Sequence, residues 1–382
     1  MYRLRKNCWG LLWLILLAIP RAQAAQPRYF EEGHSGHGEL RYINELPVLE
    51  VTGTPEEIGR EKSALTGDEV KAIAQYPQQF IERVGGAERW AKLLHMAKAL
   101  LPQFPHDHLV EIRSFRDHSE VDRDLGIIGN TLPDIYRGGF GCSSLIVEGR
   151  RSATGGPLFG RNLDFYSLGI LDKYSLVTVY RPKGKHAFVS IGFPGLFGCL
   201  SGMNDAGLAL AVHEVFMARD HSPMFNPKGV PYTLAFRRVL EECADIGQAE
   251  RLLRSIERTT MLNLAVCDRQ HSAVFEMTPK SLVVRHGSGG ICVCTNHFRS
   301  PELAVDFLMG CRRYQILSQA RLMDKLDVPD VAEKLNEVNL GLLTVQTMIF
   351  EPAVLKLHLA IGGRPSSSQP MRPLELGPLF QP

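Results

Sequence analysis

The spacing of apolar residues changes at Gly141. From Leu46 to Gly141 the apolar positions largely follow the three-and-four spacing of amphipathic helices. The clearest such segments are 66–83 and 88–101. Thr54 is followed by Pro55 and two glutamates, which predicts a helix that begins with a threonine cap. Residues 25–37, rich in Gln, Gly and His, lack this spacing and are expected to be mobile.

After Gly141 the pattern is typical of strands. The β-rich runs Ser143–Glu148 and Pro157–Phe165 flank a polar turn and predict a β-hairpin. Further predicted strands are 174–181, 186–193, 207–215, 262–268, 273–277, 282–286 and 290–295. Predicted helices are 232–257, 301–323 and 330–338. Because the helices precede the strands and the two do not alternate, the order favours a layered α+β fold over a doubly wound sheet.

The first 24 residues have the features of an export signal. Arg3, Arg5 and Lys6 precede the apolar run from Cys8 to Ile19, and Ala22-Gln23-Ala24 offers a small-x-small cleavage site. A retained anchor is the alternative, although the run is shorter than the roughly 20 residues that span a bilayer. We therefore expect an exported protein without a stable membrane anchor, located outside the cell, in a periplasm or in a lysosome-like lumen.

Charge and motif content exclude several classes of protein. The chain has 43 basic and 41 acidic residues, and four basic residues lie in the first 24, so the remainder is close to neutral. Such a body lacks the basic surface that nucleic-acid binding requires. The metal and nucleotide motifs HExxH, CxxC and the P-loop are absent. We expect no zinc, flavin or nucleotide cofactor and no other metal. Without Cys8, seven cysteines remain, so at least one should be unpaired or bonded to another chain.

Candidate chemistry concentrates at the hairpin. Cys142 begins the first strand after a glycine-rich approach, and Arg161 and Asp164 lie on the returning strand. Alternation places Arg161 and Asp164 on different faces, but a strand that ended near Asn162 would leave both near Cys142. A cation favours the thiolate, and a carboxylate orients the group that accepts the proton. The alternative is a buried cysteine beside a surface ion pair. None of the 13 histidines has the sequence context of a cysteine-protease base.

Several segments resemble one family when taken in order. The hairpin gives Gly141-Cys142-Ser143-Ser144 and Gly160-Arg161-Asn162-Leu163-Asp164. The supporting segments are Gly53–Gly59, Asn130-x-x-x-Asp134, Met203–Leu208, Thr295-Asn296-His297-Phe298, Arg312-Arg313-Tyr314 and the closing stretch Leu357–Pro373. Together they resemble the acyl-coenzyme A:6-aminopenicillanic acid acyltransferase-like cysteine peptidase family. This family belongs to the N-terminal nucleophile (Ntn) hydrolases and is related to choloylglycine hydrolase and acid ceramidase.

The resemblance implies a four-layer αββα sandwich with an N-terminal helical segment. It also implies that the bond between Gly141 and Cys142 is cut by the protein itself. The expected organisation is a signal peptide (1–24), a mobile stretch (25–45), a helical pro-segment (46–141) and a catalytic chain (142–382). The two cleaved chains are expected to stay associated, and a homo-oligomer is left open.

The resemblance also implies roles for six residues. Cys142 would be the nucleophile, and its own α-amine, freed by cleavage, would be the general base. Asp164 would hold that amine and Arg161 would stabilise the thiolate. Asn296 and the backbone N–H of Glu214 would bind the oxyanion, and Arg313 matches a site arginine. The alternatives are an ordinary turn asparagine, a surface glutamate and an arginine on a helix surface.

The expected function is an exported amidase. It would cleave the linear carbon–nitrogen amide bond of a small N-acyl substrate through an S-acyl-enzyme. An acyltransferase that moves the acyl group to another amine, or a catalytically silent binding protein of the same fold, are the alternatives. Five aromatic residues could form a pocket for an apolar acyl group or simply fill the core. These are Phe165, Tyr166, Phe193, Phe197 and Phe298.

Overall fold

A computed structural model describes residues 27–136 and 140–381. The predicted signal peptide lies outside these ranges, so its assignment stays a prediction. Among the described residues, no helix combines the length and apolar character needed to cross a membrane.

Strands of the described chain form two sheets. Their bounds are β1 Gly33–Ser35, β2 Gly38–Ile43, β3 Leu46–Gly53, β4 Phe140–Val147, β5 Leu158–Phe165, β6 Leu176–Pro182, β7 Phe188–Gly192, β8 Ser201–Asn204, β9 Ala209–Glu214, β10 Leu262–Cys267, β11 Ser272–Met277, β12 Leu282–His286, β13 Ile291–Cys294, β14 Thr344–Glu351, β15 Lys356–Ala360 and β16 Arg372–Glu375. The ten-stranded sheet has the order β1-β2-β3-β6-β7-β8-β9-β10-β11-β12, and the six-stranded sheet has the order β13-β4-β5-β14-β15-β16.

The two sheets pack face to face between layers of helix. The helices are α1 Pro55–Ala74, α2 Tyr76–Leu100, α3 His106–Asp117, α4 Arg123–Ile135, α5 Tyr232–Glu242, α6 Ile246–Ser255, α7 Arg312–Ser318, α8 Val328–Glu337 and α9 Leu376–Phe380. Side chains of both sheets, such as Val179 and Phe159, share one buried core. Helices α1 to α6 pack on the outer face of the large sheet, and α7 and α8 pack on that of the small sheet. The predicted α+β class and the αββα layers are confirmed.

The predicted start of the first helix is also confirmed. The Thr54 hydroxyl accepts a hydrogen bond from the Glu57 N–H, and the Glu57 carboxylate accepts one from the Thr54 N–H. This reciprocal capping box satisfies two backbone donors that the first helical turn would otherwise leave unpaired.

Three sequence-based expectations for the N-terminal part differ from the structure. The stretch 25–45 contains β1 and β2, and the helical pattern expected from Leu46 begins instead with strand β3. Strand β3 is flanked by β2 and β6 and carries six buried residues in succession, so its apolar run does not show strand alternation. The expected helix 66–83 crosses the boundary between α1 and α2, and α2 is itself broken at Gly86, where φ is +78°.

Two later helices also differ. The expected helix 301–323 is reduced to α7 and two short 3-10 helices, Asp306–Leu308 before it and Gln319–Leu322 after it. The expected helix 232–257 is divided into α5 and α6, with Asp245 capping the second. The nine strands predicted after Gly141 all exist, with boundaries within three residues.

The segment before Gly141 is part of the large sheet. Strand β3 pairs in parallel with β6, from Val48 opposite Val177 to Gly53 opposite Pro182. Residues on either side of the proposed cleavage point therefore share one continuous set of backbone hydrogen bonds.

Candidate active site

The hairpin β4–β5 carries the candidate nucleophile. Cys142 lies opposite Leu163, and Ser144 lies opposite Arg161. Residues paired across a ladder share a face, and contacts of Ser144 and Arg161 with strands β8 and β9 show that this face meets the large sheet. Cys142 is 1% exposed, so its thiol is enclosed in the uncleaved chain.

Arg161 places a buried positive charge beside the thiol. Its Nη1 lies 3.8 Å from Cys142 Sγ, its Nε donates to Ser201 Oγ at 2.5 Å, and its Nη2 donates to the Val212 carbonyl at 3.3 Å. The side chain is fully buried. Within the described residues no carboxylate lies at ion-pair distance from Arg161.

Asp164 lies on the opposite face of β5. The strand continues to Phe165, so the expectation that it ends near Asn162 is wrong. Asp164 Oδ1 accepts a hydrogen bond from Thr344 Oγ1 at 2.6 Å, whereas Oδ2 has no hydrogen-bond partner among the described residues. A Cβ atom on Gly141, directly opposite, would lie 3.3 Å from Oδ2. Asp164 therefore faces the backbone of the proposed cleavage point.

Asn296 and Arg313 hold the backbone of Cys142. The Cys142 N–H donates to Asn296 Oδ1 at 2.9 Å, and Arg313 Nη1 donates to the Cys142 carbonyl at 2.8 Å. Arg313 Nη2 also donates to Asn296 Oδ1 at 2.8 Å, and its Nη1 lies 3.6 Å from Asp164 Oδ2. Asn296 Nδ2 donates to the Glu214 carbonyl at 2.9 Å.

The other five residues singled out from the sequence are thus gathered around Cys142. The alternatives of a surface glutamate and a surface ion pair are wrong, because Glu214 is 2% exposed and both Arg161 and Asp164 are fully buried. Arg313, with 19% of its side chain exposed, opens α7 and points to the hairpin.

Burial dominates the acid–base properties of the site. Burial raises the pKa of the Cys142 thiol to about 11, and the nearby Arg161 acts in the opposite direction. Burial also raises the pKa of Asp164, against the hydrogen bond from Thr344 and the charge of Arg313. The thiol of the uncleaved chain is accordingly protonated at neutral pH, and activation requires a further group.

A buried histidine near the hairpin does not supply that group. One ring nitrogen of His213 lies 2.9 Å from Ser144 Oγ. Burial, reinforced by Arg161, holds the pKa of His213 well below its usual range, so the ring is neutral. The described residues contain no group of His, Cys, Asp and Glu side chains suited to a metal ion, and their seven cysteines are free thiols.

Two contact residues were missed from the sequence. Ser201 accepts the hydrogen bond from Arg161, and Thr344 donates to Asp164. Both are distant in sequence from the hairpin and belong to no motif, so only the strand order brings them to the site.

An apolar cavity begins next to the hairpin. Phe165, which follows Asp164, lines a cavity of about 120 Å³ together with residues of α1, α2, α4 and the loop 193–196. Of the aromatic residues proposed for an acyl pocket, Phe165 and Phe193 line this cavity. Phe197 lines a second, adjoining cavity, and Phe298 packs in a separate apolar cluster. Tyr166 is largely exposed.

Comparison with known proteins places the chain in a family. A sequence model described as acyl-coenzyme A:6-aminopenicillanic acid acyl-transferase matches residues 151–349, just over half of the chain. The match contains five of the candidate residues and begins after Cys142. An uncharacterized protein of Archaeoglobus fulgidus is 22% identical over 273 residues, which are 63% of this chain and 45% of that protein. The aligned region thus spans less than half of that relative.

Solved structures are similar to this chain at low sequence identity. A Caenorhabditis elegans N-acylethanolamine-hydrolyzing acid amidase ortholog has a TM-score of 0.44 at 17% identity, covering 56% of this chain and 93% of that one. A mutant conjugated bile acid hydrolase from Clostridium perfringens has a TM-score of 0.45 at 16% identity, covering 63% of this chain and 94% of that one. Penicillin V acylase from Agrobacterium tumefaciens has a TM-score of 0.41 at 16% identity, covering 58% of this chain and 82% of that one.

It is the match over residues 151–349 that decides the family. The chain belongs to the acyl-coenzyme A:6-aminopenicillanic acid acyl-transferase family.

Proposed function

We propose that this chain is an exported Ntn cysteine amidase that cleaves the linear amide bond of a small N-acyl substrate with an apolar acyl group. The observation that carries the proposal is the convergence of Arg161, Arg313, Asn296 and Asp164 on Cys142. An apolar cavity lined by Phe165 lies next to the same hairpin. Two positive charges, a donor amide and a buried carboxylate around one thiol are the groups that acyl transfer through a thioester requires.

The first reaction would be self-cleavage. Cys142 Sγ attacks the Gly141 carbonyl carbon, the Cys142 nitrogen leaves with a proton, and water hydrolyses the resulting thioester. The products are a Gly141 carboxylate and a free α-amine on Cys142. The hydrogen bonds of Asn296 and Arg313 to the Cys142 backbone support this step, because they fix one side of the scissile bond.

The freed amine would then act as the general base. It takes the thiol proton, the thiolate attacks the substrate carbonyl, and the same proton passes to the departing amine. Water then hydrolyses the thioester and regenerates the thiol. An unperturbed α-amine has a pKa of about 7.7–8.0, which suits proton exchange near neutral pH. Its charged form would also lower the pKa of the adjacent Cys142 thiol.

Asp164 and Arg161 would have separate tasks. Asp164 Oδ2, which lacks a hydrogen-bond partner among the described residues, is placed to accept a hydrogen bond from the new amine once Gly141 is cut away. Arg161 would stabilise the thiolate, since its charge at 3.8 Å from the sulfur has no counter-ion in the described part of the chain.

Asn296 and Glu214 would bind the oxyanion. The Asn296 amide donates to the Glu214 carbonyl in the uncleaved chain, so the two groups already adjoin. In the proposed reaction the Asn296 amide and the Glu214 backbone N–H donate to the oxygen that becomes negative. One such donor contributes about 2.7–4 kcal/mol to stabilisation of the transition state.

Two chains would remain together after cleavage. The N-terminal chain contributes β1, β2 and β3 to the large sheet, and its four helices cover that sheet. Release would break the β3–β6 ladder and expose the apolar core, which is strongly unfavourable.

Transfer of the acyl group to another amine is the second candidate, favoured by the acyl-transferase activity after which the matching family is named. We favour hydrolysis because water is abundant outside the cytoplasm, where the sequence of residues 1–24 predicts the protein to act. Adding hydroxylamine during turnover separates the two: a transferase forms the acyl hydroxamate in preference to the free acid.

Intact mass analysis tests the nucleophile. Wild type should give two species, ending at Gly141 and beginning at Cys142, and Cys142→Ala should give one. Cys243→Ala, which removes a buried cysteine at the end of α5, is the matched control and should be cleaved normally.

The same samples are then given fatty acyl, phenylacetyl and bile-acid amides. Amine release with a thioester trapped on Cys142 is expected for at least one apolar acyl donor. An active wild-type protein that remains a single full-length species would refute the Ntn mechanism.

A further inference from the structure

A second apolar chamber lies beside the acyl cavity. It has a volume of about 290 Å³ and is enclosed by α1, the end of α2, α3, α4 and the loop that contains Gly195 and Phe197. Its apolar lining consists of Val70, Leu101, Pro102, Phe104, Leu109, Ile112, Phe115, Val121, Ile127 and Phe197. The proposed reaction assigns this chamber no role.

Three arginines border the chamber. Arg113 and Arg116 extend from α3, and Arg123 is the first residue of α4. Arg116 forms an ion pair with Asp117, whereas the ion pairs within the described residues include neither Arg113 nor Arg123. The acidic residue of the lining, Asp122, caps α4 through the N–H groups of its first turn. The border therefore has a net positive charge available to a ligand.

The chamber and the acyl cavity meet. They share the lining residues Val70, Val121, Gly126 and Gly195. A Cβ atom on Gly126 would meet no heavy atom within 4 Å, so this helical glycine leaves open space where the two adjoin. An apolar chain that entered between the arginines could thus extend toward the acyl cavity.

We propose that the second chamber binds a long-chain fatty acid, with its carboxylate at Arg113 and Arg123 and its hydrocarbon tail directed toward the acyl cavity. A neutral apolar ligand would leave the arginines unused, and a small anion would leave the apolar chamber unfilled. A single-chain carboxylate satisfies both parts of the site.

A regulatory consequence follows, and it rests on the proposed function. The tail of the bound acid would compete with the acyl chain of a substrate near Gly126. Hydrolysis of a long-chain amide releases such an acid, so the product would inhibit the reaction, and inhibition would increase with chain length.

Binding is tested on the full-length Cys142→Ala protein, which does not depend on turnover. Calorimetric titrations compare hexadecanoate, hexadecanol and butanoate below their aggregation concentrations. We expect hexadecanoate to bind about tenfold more tightly than hexadecanol, and butanoate not to bind measurably. A change of tenfold corresponds to about 1.4 kcal/mol, close to the lower end of the about 1.5–3 kcal/mol that a hydrogen bond to a charged group contributes.

Variants locate the site. The double variant Arg113→Gln/Arg123→Gln should lose about tenfold in hexadecanoate affinity, a difference of about 1.4 kcal/mol, and keep its hexadecanol affinity. Arg83→Gln, an exposed position on α2 outside the chamber, is the control and should bind hexadecanoate as the parent does. Gly126→Leu should weaken hexadecanoate more than octanoate, because its side chain fills the space where the cavities meet.

Equal affinity for the acid and the alcohol, or an unchanged affinity in the double arginine variant, would overturn the proposal. These binding results stand even if no amide is turned over. Conversely, binding without inhibition in an active wild-type enzyme would refute the competition between tail and substrate alone.

Discussion

Asp164→Asn separates the stability of the uncleaved chain from its chemistry. The substitution keeps an oxygen for the hydrogen bond from Thr344 and removes a carboxylate that burial disfavours. Because burial raises the folded-state pKa of Asp164 above its ordinary value of 3.8, the folded chain holds this proton while the unfolded chain has lost it. Between the unfolded-state and folded-state pKa values, the carboxyl therefore lowers the free energy of unfolding as pH rises. The loss of stability persists at higher pH. Asparagine has no such penalty.

Catalysis should change in the opposite direction. In the proposed mechanism the carboxylate binds the α-ammonium of Cys142, and a hydrogen bond between charged groups contributes about 1.5–3 kcal/mol. Losing it should slow turnover roughly 10- to 150-fold, at 1.36 kcal/mol for each factor of ten. Self-cleavage should also slow, because the Cys142 nitrogen becomes this amine as it leaves Gly141. Stability is compared by thermal unfolding of Asp164→Asn in the Cys142→Ala background, and rates are measured by mass spectrometry and amine release.

The expected result is a melting temperature at pH 7 equal to or above that of the Cys142→Ala parent, with the difference shrinking below about pH 4, where the ordinary Asp pKa lies. Asp164→Asn with Cys142 intact should cleave itself slowly at pH values where its fold is intact. A variant that unfolds more readily at pH 7, yet cleaves at the wild-type rate, would show that Asp164 is a structural residue and refute the reasoning.

Three further predictions concern neighbouring groups. Arg161→Lys loses the directed bonds to Ser201 and Val212, so steady-state turnover should fall about tenfold or more, given about 1.5–3 kcal/mol for a buried charged hydrogen bond; an unchanged kcat would contradict the role. Gly129→Leu places a side chain in open space of the acyl cavity, so kcat/KM should fall for long acyl chains relative to short ones while the melting temperature does not fall. Burial would raise the pKa of Cys311, but hydrogen bonds from His297, the Tyr314 backbone and Thr295 lower it to about 6. Iodoacetamide should therefore label Cys311 of Cys142→Ala before buried Cys243 at pH 7, as peptide mapping would show.

Local patterns predicted the hairpin well and the N-terminal part poorly. Strands β4 and β5 have short β-rich runs around a polar turn, and their pairing needs no distant partner. Strand β3 has an uninterrupted buried run, which looks the same in a covered strand as in a buried helix. Its parallel partner β6 lies more than a hundred residues away, so nothing local distinguishes the two possibilities.

The site was predictable in composition but not in geometry. Alternation correctly placed Arg161 and Asp164 on different faces of β5. That both still adjoin Cys142 follows from the antiparallel register, which sets Gly141 opposite Asp164 and Ser144 opposite Arg161. Arg313 reaches the Cys142 carbonyl from the first turn of α7, which begins only at Arg312, a late start that apolar spacing did not reveal.

The arrangement of contacts around Cys142 also indicates where a substrate would lie. Asn296 and Arg313 hold Cys142 on its own nitrogen and carbonyl, so self-cleavage would free the Gly141 side of the bond while the nucleophile stays in place. The position opened is the one that Gly141 occupies in the uncleaved chain. Phe140, which precedes Gly141, pairs with Phe165 in the β4–β5 ladder. Phe165 in turn lines the acyl cavity. An acyl group whose carbonyl replaces that of Gly141 would therefore extend toward the cavity. The groups that act on the chain's own peptide bond would then act on the substrate without rearrangement, which explains why one constellation can serve both reactions.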